Sequence, residues 1–157
     1  MGDRPDPGRI VADADVLAAD LLLGGPAREV MDLIRAHSWL ELVATDELLD
    51  DAEAVVRELA NDDLADDWRR RIAALVTVVE QPAGDHPALA AAYRGKAGHV
   101  LTFDESLRSA RAGAELRARV ETSVKSPGAF LTVFDPEGLY PAVVGGEYPG
   151  PDCDPRE

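Results

Sequence analysis

Four aspartates stand where a polypeptide can concentrate chemistry. Asp13 follows a short apolar run, residues 9–12, and Asp104 follows another, residues 100–103. Asp85 heads a segment with Pro87 in its opening turn, and Asp51 lies in the first turns of the segment after a third run, residues 39–44. Any one aspartate in so acidic a chain is most simply a helix cap or a solvated side chain. Three that stand at strand ends or helix starts in separate segments suggest convergence. Carboxylates within a few ångströms raise one another's pKa and are costly to gather unless a cation neutralises them. Hard oxygen donors without His or Cys select Mg²⁺ or Mn²⁺ over zinc. The chemistry that uses such a site is phosphodiester hydrolysis, in which one or two ions polarise the phosphate, activate water and stabilise the leaving oxygen.

Bringing those carboxylates together requires elements whose ends converge. Residues 9–12, 39–44, 75–79 and 100–103 are expected as strands, with a weaker fifth at 122–124. Between them the apolar spacing predicts helices. The first spans 16–23, capped by Asp15, and the second opens at Pro26 with Val30, Leu33 and Ile34 on one face. A third is capped by Thr45 and runs to Leu59, with Leu48, Leu49, Ala52, Val55, Val56 and Leu59 as its stripe. Further helices are expected at 61–72, after Asp85, at 106–112 and at 127–134, with a turn at 81–84. Strands alternating with helices imply a three-layer α/β/α domain around a parallel sheet of four to five strands. Ligands of such sheets bind beyond the carboxyl ends of the strands. The domain is expected over residues 9–134, after a leader at 1–8. A Pro/Gly-rich acidic tail at 135–157 is expected to be disordered or to drape over the domain, with no core of its own.

Four blocks together resemble a PIN domain, the fold of toxin-type endoribonucleases and RNA-processing nucleases. They are VADADVLAADLLLG (11–24), TDELLDDAEAVV (45–56), DHPALAAAYRGKAGHVLTFDESL (85–107) and VKSPGAFL (124–131). The similarity is collinear over roughly residues 9–134, and the third block is its most specific part. The resemblance implies a strand order of 3-2-1-4-5 and a Mg²⁺- or Mn²⁺-dependent ribonuclease that forms no covalent intermediate. It maps Asp13 onto the first catalytic aspartate, Asp85 onto the acid heading the later helix, and Asp104 and Thr102 onto a Thr-x-Asp motif. Two positions depart from the family pattern. Asp15 stands where Asn is usual, and the family's helical Glu falls on Asp51, with Glu47 and Glu53 as alternatives one turn to either side. The resemblance also implies RNA as substrate, an antitoxin or other protein partner, and a homodimer. The competing expectation is a catalytically quiet PIN-like module that binds a protein partner or RNA.

Two other α/β families fail on order. A response-regulator receiver needs an acceptor Asp where this chain has Val79-Glu80-Gln81; a haloacid-dehalogenase-type phosphatase needs Thr or Val at the place of Leu17 and its Thr strand before its Gly-Asp, whereas Gly84-Asp85 precedes Thr102. Net charge decides less. The chain of 157 residues carries 16 Lys+Arg against 30 Asp+Glu, a formal charge of −14, which would normally repel nucleic acid. Lys occurs only at positions 96 and 125, the composition expected of a protein working in molar salt, as in a haloarchaeon. There the Debye length falls to about 3 Å and net charge repels little beyond contact. No apolar run nears the roughly 18 residues of a membrane span, so a cytoplasmic protein is expected. The lone Cys153 rules out an intrachain disulfide. Arg69-Arg70-Arg71 among Asp62, Asp63, Asp66 and Asp67 is expected to form ion pairs on a solvated face. His37, His86 and His99 share no metal-ligand spacing, and Trp39 and Trp68 are expected in core or interface.

Overall fold

The computed structural model describes residues 5–80, 86–107 and 122–155. Its centre is a five-stranded, all-parallel sheet of β1 (Asp6–Ala12), β2 (Glu41–Thr45), β3 (Val76–Val79), β4 (Ala97–Leu101) and β5 (Ser123–Lys125). The order is β3-β2-β1-β4-β5, the order that the resemblance implied. Seven helices among the described residues flank it in a three-layer α/β/α arrangement: α1 (Ala14–Leu22), α2 (Gly25–Arg35), α3 (Asp46–Leu59), α4 (Asp62–Leu75), α5 (Pro87–Gly95), α6 (Pro127–Val133) and α7 (Pro136–Val143). None of these is long and apolar enough to cross a membrane.

Strands covered on both faces read as continuous apolar runs. Ile10, Val11 and Ala12 on β1, and Val100 and Leu101 on β4, are accordingly buried. In register, Ala12 lies opposite Leu101 and Leu101 opposite Lys125. The central strands therefore end level, and the residues that follow them, Asp13 and Thr102, come side by side. Thr45 caps α3 as expected, its hydroxyl accepting from the Leu48 N–H at 3.1 Å.

Several boundaries differ from expectation for packing reasons. β4 is Ala97–Leu101 rather than 100–103. Its early residues carry no β-branched signal because the backbone of β1 presses on them: a Cβ at Gly98 would sit 2.8 Å from the Asp6 carbonyl oxygen. Phe103 is exposed, outside the strand. The Ala-rich α5 packs equally closely, since a Cβ at Gly95 would meet Val43 at 2.4 Å. β1 starts at Asp6, drawing in part of the supposed leader through the bond from the Asp6 N–H to the Lys96 carbonyl. On α2 it is Met31 that is buried, with Leu33 only half-buried, and on α3 Leu59 is exposed rather than part of the core. Asp15 is not the cap of α1; Asp13 is, because the helix begins one residue after the strand ends. The expected turn at 81–84, Asp85 and most of the helix expected at 106–112 lie outside the described residues.

Of the two behaviours expected for the tail, the structure has it drape. Residues 136–143 form a helix that the sequence reading did not anticipate. Tyr140 meets Trp39 edge-on with ring centroids 5.3 Å apart, and Tyr148 stacks on the buried His37. The Tyr148 hydroxyl lies 2.5 Å from His37 Nε2, and the Asp152 carboxylate accepts from the Ser38 N–H at 2.7 Å. The Asp152 N–H in turn donates to the Ala36 carbonyl. These bonds hold the tail to the turn before β2, at the sheet end opposite Asp13.

Candidate functional site

Asp13, only 7% exposed, is fixed from three directions. Its N–H continues the sheet by donating to the Leu101 carbonyl at 2.8 Å. Its Oδ1 accepts from the Ala14 N–H at 2.8 Å, and its Oδ2 accepts from the Thr102 hydroxyl at 2.8 Å. Thr102 is fully buried, and its oxygen accepts from the Asp104 N–H at 3.0 Å. One hydroxyl thus couples the carboxylate after β1 to the acidic loop after β4.

Asp15 enters the same arrangement from the first turn of α1. Its Oδ2 accepts from the Phe103 N–H at 3.1 Å and lies 3.5 Å from Thr102 Oγ1. Thr102 has one hydroxyl proton, and the shorter contact to Asp13 takes it. Oδ1 of Asp15 is buried with no hydrogen-bond partner. Burial raises the Asp15 pKa above its ordinary 3.8, and the charges of Asp13 and Asp104 push the same way, against hydrogen bonds from the Phe103 and Val16 N–H groups. Asp104 moves in the opposite direction. It is exposed, and bonds from the Ser106 hydroxyl (2.7 Å) and N–H (2.9 Å) hold it below the usual carboxylate range.

Asp13, Asp15, Asp51, His86 and Asp104 line one cleft of about 480 Å³. Its other wall is apolar, formed by residues of α1 and α3. Among the acids considered for the α3 position, Asp51 faces this cleft. Glu47 lines a different hollow with Glu80 and Arg94, and Glu53 is taken up by Arg57 at 2.8 Å and Arg69 at 3.3 Å. Asp85 lies outside the described residues. Its neighbour His86 caps α5, Nδ1 accepting from the Ala88 N–H at 3.1 Å.

Residues 4–156 match a family of unknown function, DUF7384. The chain belongs to this family. No curated protein and no solved structure matches it. The match runs through residues 135–155, so it covers the tail as well as the sheet of this chain.

In this DUF7384 chain the donors at the cleft suit a hard divalent cation by type: the carboxylate oxygens of Asp13, Asp15, Asp51 and Asp104, one of them the unpartnered Asp15 Oδ1. Among the described residues no three Asp, Glu, His or Cys side chains stand close enough together to form a closed metal cage. Mg²⁺ seldom uses one, retaining several waters and binding through one or two carboxylates. The residues therefore fit a water-rich site.

Of the other residues singled out, Arg70 and Arg71 pair with Asp67 on the surface of α4, as expected, whereas Arg69 crosses to Asp46, Asp50 and Glu53 on α3. Trp68 is buried. Sequence reasoning missed the role of Asp15 and the apolar wall of the cleft. The first signal was available in the Asp-x-Asp after β1, and the second in the apolar run of residues 16–23, interrupted only by Asp20.

Proposed function

We propose that this protein is a Mg²⁺- or Mn²⁺-dependent ribonuclease of PIN type, acting in a salt-rich cytoplasm. The observation that carries the reading is the buried Thr102 hydroxyl, which joins Asp13 to the Asp104 loop at a cleft also lined by Asp51. Those residues, with Asp85 as the remaining acid of the sequence-derived set, would hold the ion. Once bound there, it supplies Lewis-acid activation of water and of the phosphate.

The chain itself supplies the positioning. Two hydrogen bonds orient both oxygens of Asp13 before any ligand arrives, so little reorganisation remains to be done on binding. Asp104 stays ionised through its Ser106 bonds and presents charge at the cleft mouth. Asp15 ties the 102–104 loop to α1 through the Phe103 N–H, which keeps the two acidic segments at a constant spacing.

The test is calorimetric titration of Mn²⁺ and Mg²⁺ into the protein in molar KCl, with cleavage of single-stranded and structured RNA measured alongside. Saturable binding and cleavage are expected, and both should fall at least about 100-fold in Asp13→Asn and Asp104→Asn with folding intact. A variant that cleaves normally would overturn the assignment.

A second reading has its own observation. Leu23 and Leu59, exposed at the cleft rim, favour a catalytically quiet module whose cleft binds a protein partner, an antitoxin or a second copy of the chain. Partner binding that is independent of metal, with no cleavage, would select it.

A further inference from the structure

Among the described residues the two most exposed large apolar side chains are Leu23, at 84%, and Leu59, at 70%. They are far apart in sequence, yet both line the acidic cleft. Between them and the carboxylates the wall is made by Ala18, Ala19, Leu22 and Val55. Water-facing aliphatic surface of this kind marks a place where something apolar docks.

The layout follows from the helices. α1 begins next to Asp13 and ends at Leu22, with Leu23 as its C-cap, while Leu59 is the last residue of α3. At 1.5 Å per residue the wall lies from roughly 7 Å (Ala18) to roughly 15 Å (Leu23) along α1 from Asp13. That is the reach from a held phosphate to its own base or to its neighbour's. The whole cleft, carboxylates included, measures about 480 Å³, which accommodates a group of small-molecule size rather than the length of a helix.

We infer that the apolar half of the cleft is a base subsite: Ala18, Leu22, Leu23, Val55 and Leu59 take one unpaired nucleobase of the strand whose phosphate lies at the carboxylates. The inference rests on the nuclease reading and requires an unpaired base, because a base held in a duplex stack is not free to enter. Aliphatic methyl groups bury a base face without reading its edge, so the subsite tolerates base identity.

The test uses the full chain in molar KCl with Mg²⁺ and follows Leu and Val methyl resonances as AMP or inorganic phosphate is added. AMP is expected to shift the methyls of Leu22, Leu23, Val55 and Leu59, and phosphate is not. Leu23→Ser and Leu59→Ser replace exposed side chains, so they should fold as the parent does and keep its Mg²⁺ affinity. They should weaken AMP by at least about fivefold together. Cleavage of an unpaired strand should fall while the parent leaves the matching duplex uncut. Equal responses to AMP and phosphate, with Mg²⁺ bound and RNA cleaved, would overturn the subsite and leave the nuclease reading standing. Absence of both Mg²⁺ binding and cleavage would overturn the two together. Methyl shifts on adding a lysine- and leucine-bearing peptide, with AMP silent, would reassign the wall to a protein partner and overturn the inference.

Discussion

Two acidic regions of this protein use the same residue types to opposite ends. On the outer face of α3 and α4, Arg57 meets Glu53 at 2.8 Å, Asp62 at 3.0 Å and Asp66 at 2.9 Å. Arg69 reaches back from α4 to Asp50 at 2.8 Å and Glu53 at 3.3 Å. At the carboxyl ends of the strands, Asp13, Asp15 and Asp104 come together with no arginine or lysine paired to them among the described residues; backbone N–H groups and two hydroxyls are their partners. The first region closes its charges internally and welds two helices. The second leaves negative charge facing a cleft, with Asp15 already titrating above its ordinary range. The acid count of a segment therefore says little about function. What distinguishes the two regions is whether a helix delivers a cation to the carboxylates.

Thr102→Val breaks the comparison most severely. It is isosteric but removes the bond to Asp13 Oδ2 and strands the Asp104 N–H. A loss of about 2 kcal/mol is expected, since buried polar groups are left unsatisfied, and the melting temperature should drop by roughly 4–8 °C. A fall below about 1 °C by calorimetry would mean that the hydroxyl does not couple the two loops.

Asp15→Asn should act in the other direction. The amide oxygen can still accept from the Phe103 N–H, while a half-buried charge is removed beside Asp13. Because that charge is screened by solvent, the metal-free protein should gain no more than roughly 1 kcal/mol at neutral pH, about 2–4 °C. The sign follows from linkage: a carboxyl whose folded pKa is raised contributes stability below its unfolded value of 3.8 and loses it as pH rises through the folded value. The advantage of the variant is thus absent near pH 3 and grows towards neutrality. Saturating Mg²⁺ should erase it, because the cation relieves the same repulsion. An advantage that grew as pH fell would refute the account.

Arg69→Met should have the smallest effect, about 1–2 °C at low salt, falling towards zero in molar KCl where exposed pairs are screened. Equal loss at both salt levels would show that packing of the arginine stem, rather than charge, joins α3 to α4.

Much of the sheet was readable from residues alone. The apolar runs that end at Asp13 and near Asp104, the Thr45 cap and the Pro-led starts of α2, α5 and α6 are local signals, and local geometry obeys them. β4 was misplaced because its first half is Ala97-Gly98, small for the sake of a close backbone approach, which leaves no hydrophobic trace. α7 was missed because its sequence carries Pro and Gly, and Tyr140 finds its partner in Trp39, about a hundred residues away.

The sequence by itself determined the alternation of strand and helix, the placement of acids at strand ends and the choice of hard oxygen donors, because each depends on residues near one another along the chain. Only the tertiary structure decided which acids meet. The level register of β1 and β4 sets Thr102 against Asp13, the packing of α3 leaves Asp51 rather than Glu47 or Glu53 at the cleft, and Leu23 and Leu59 come to share a wall. These are contacts between distant segments, set by how the layers pack.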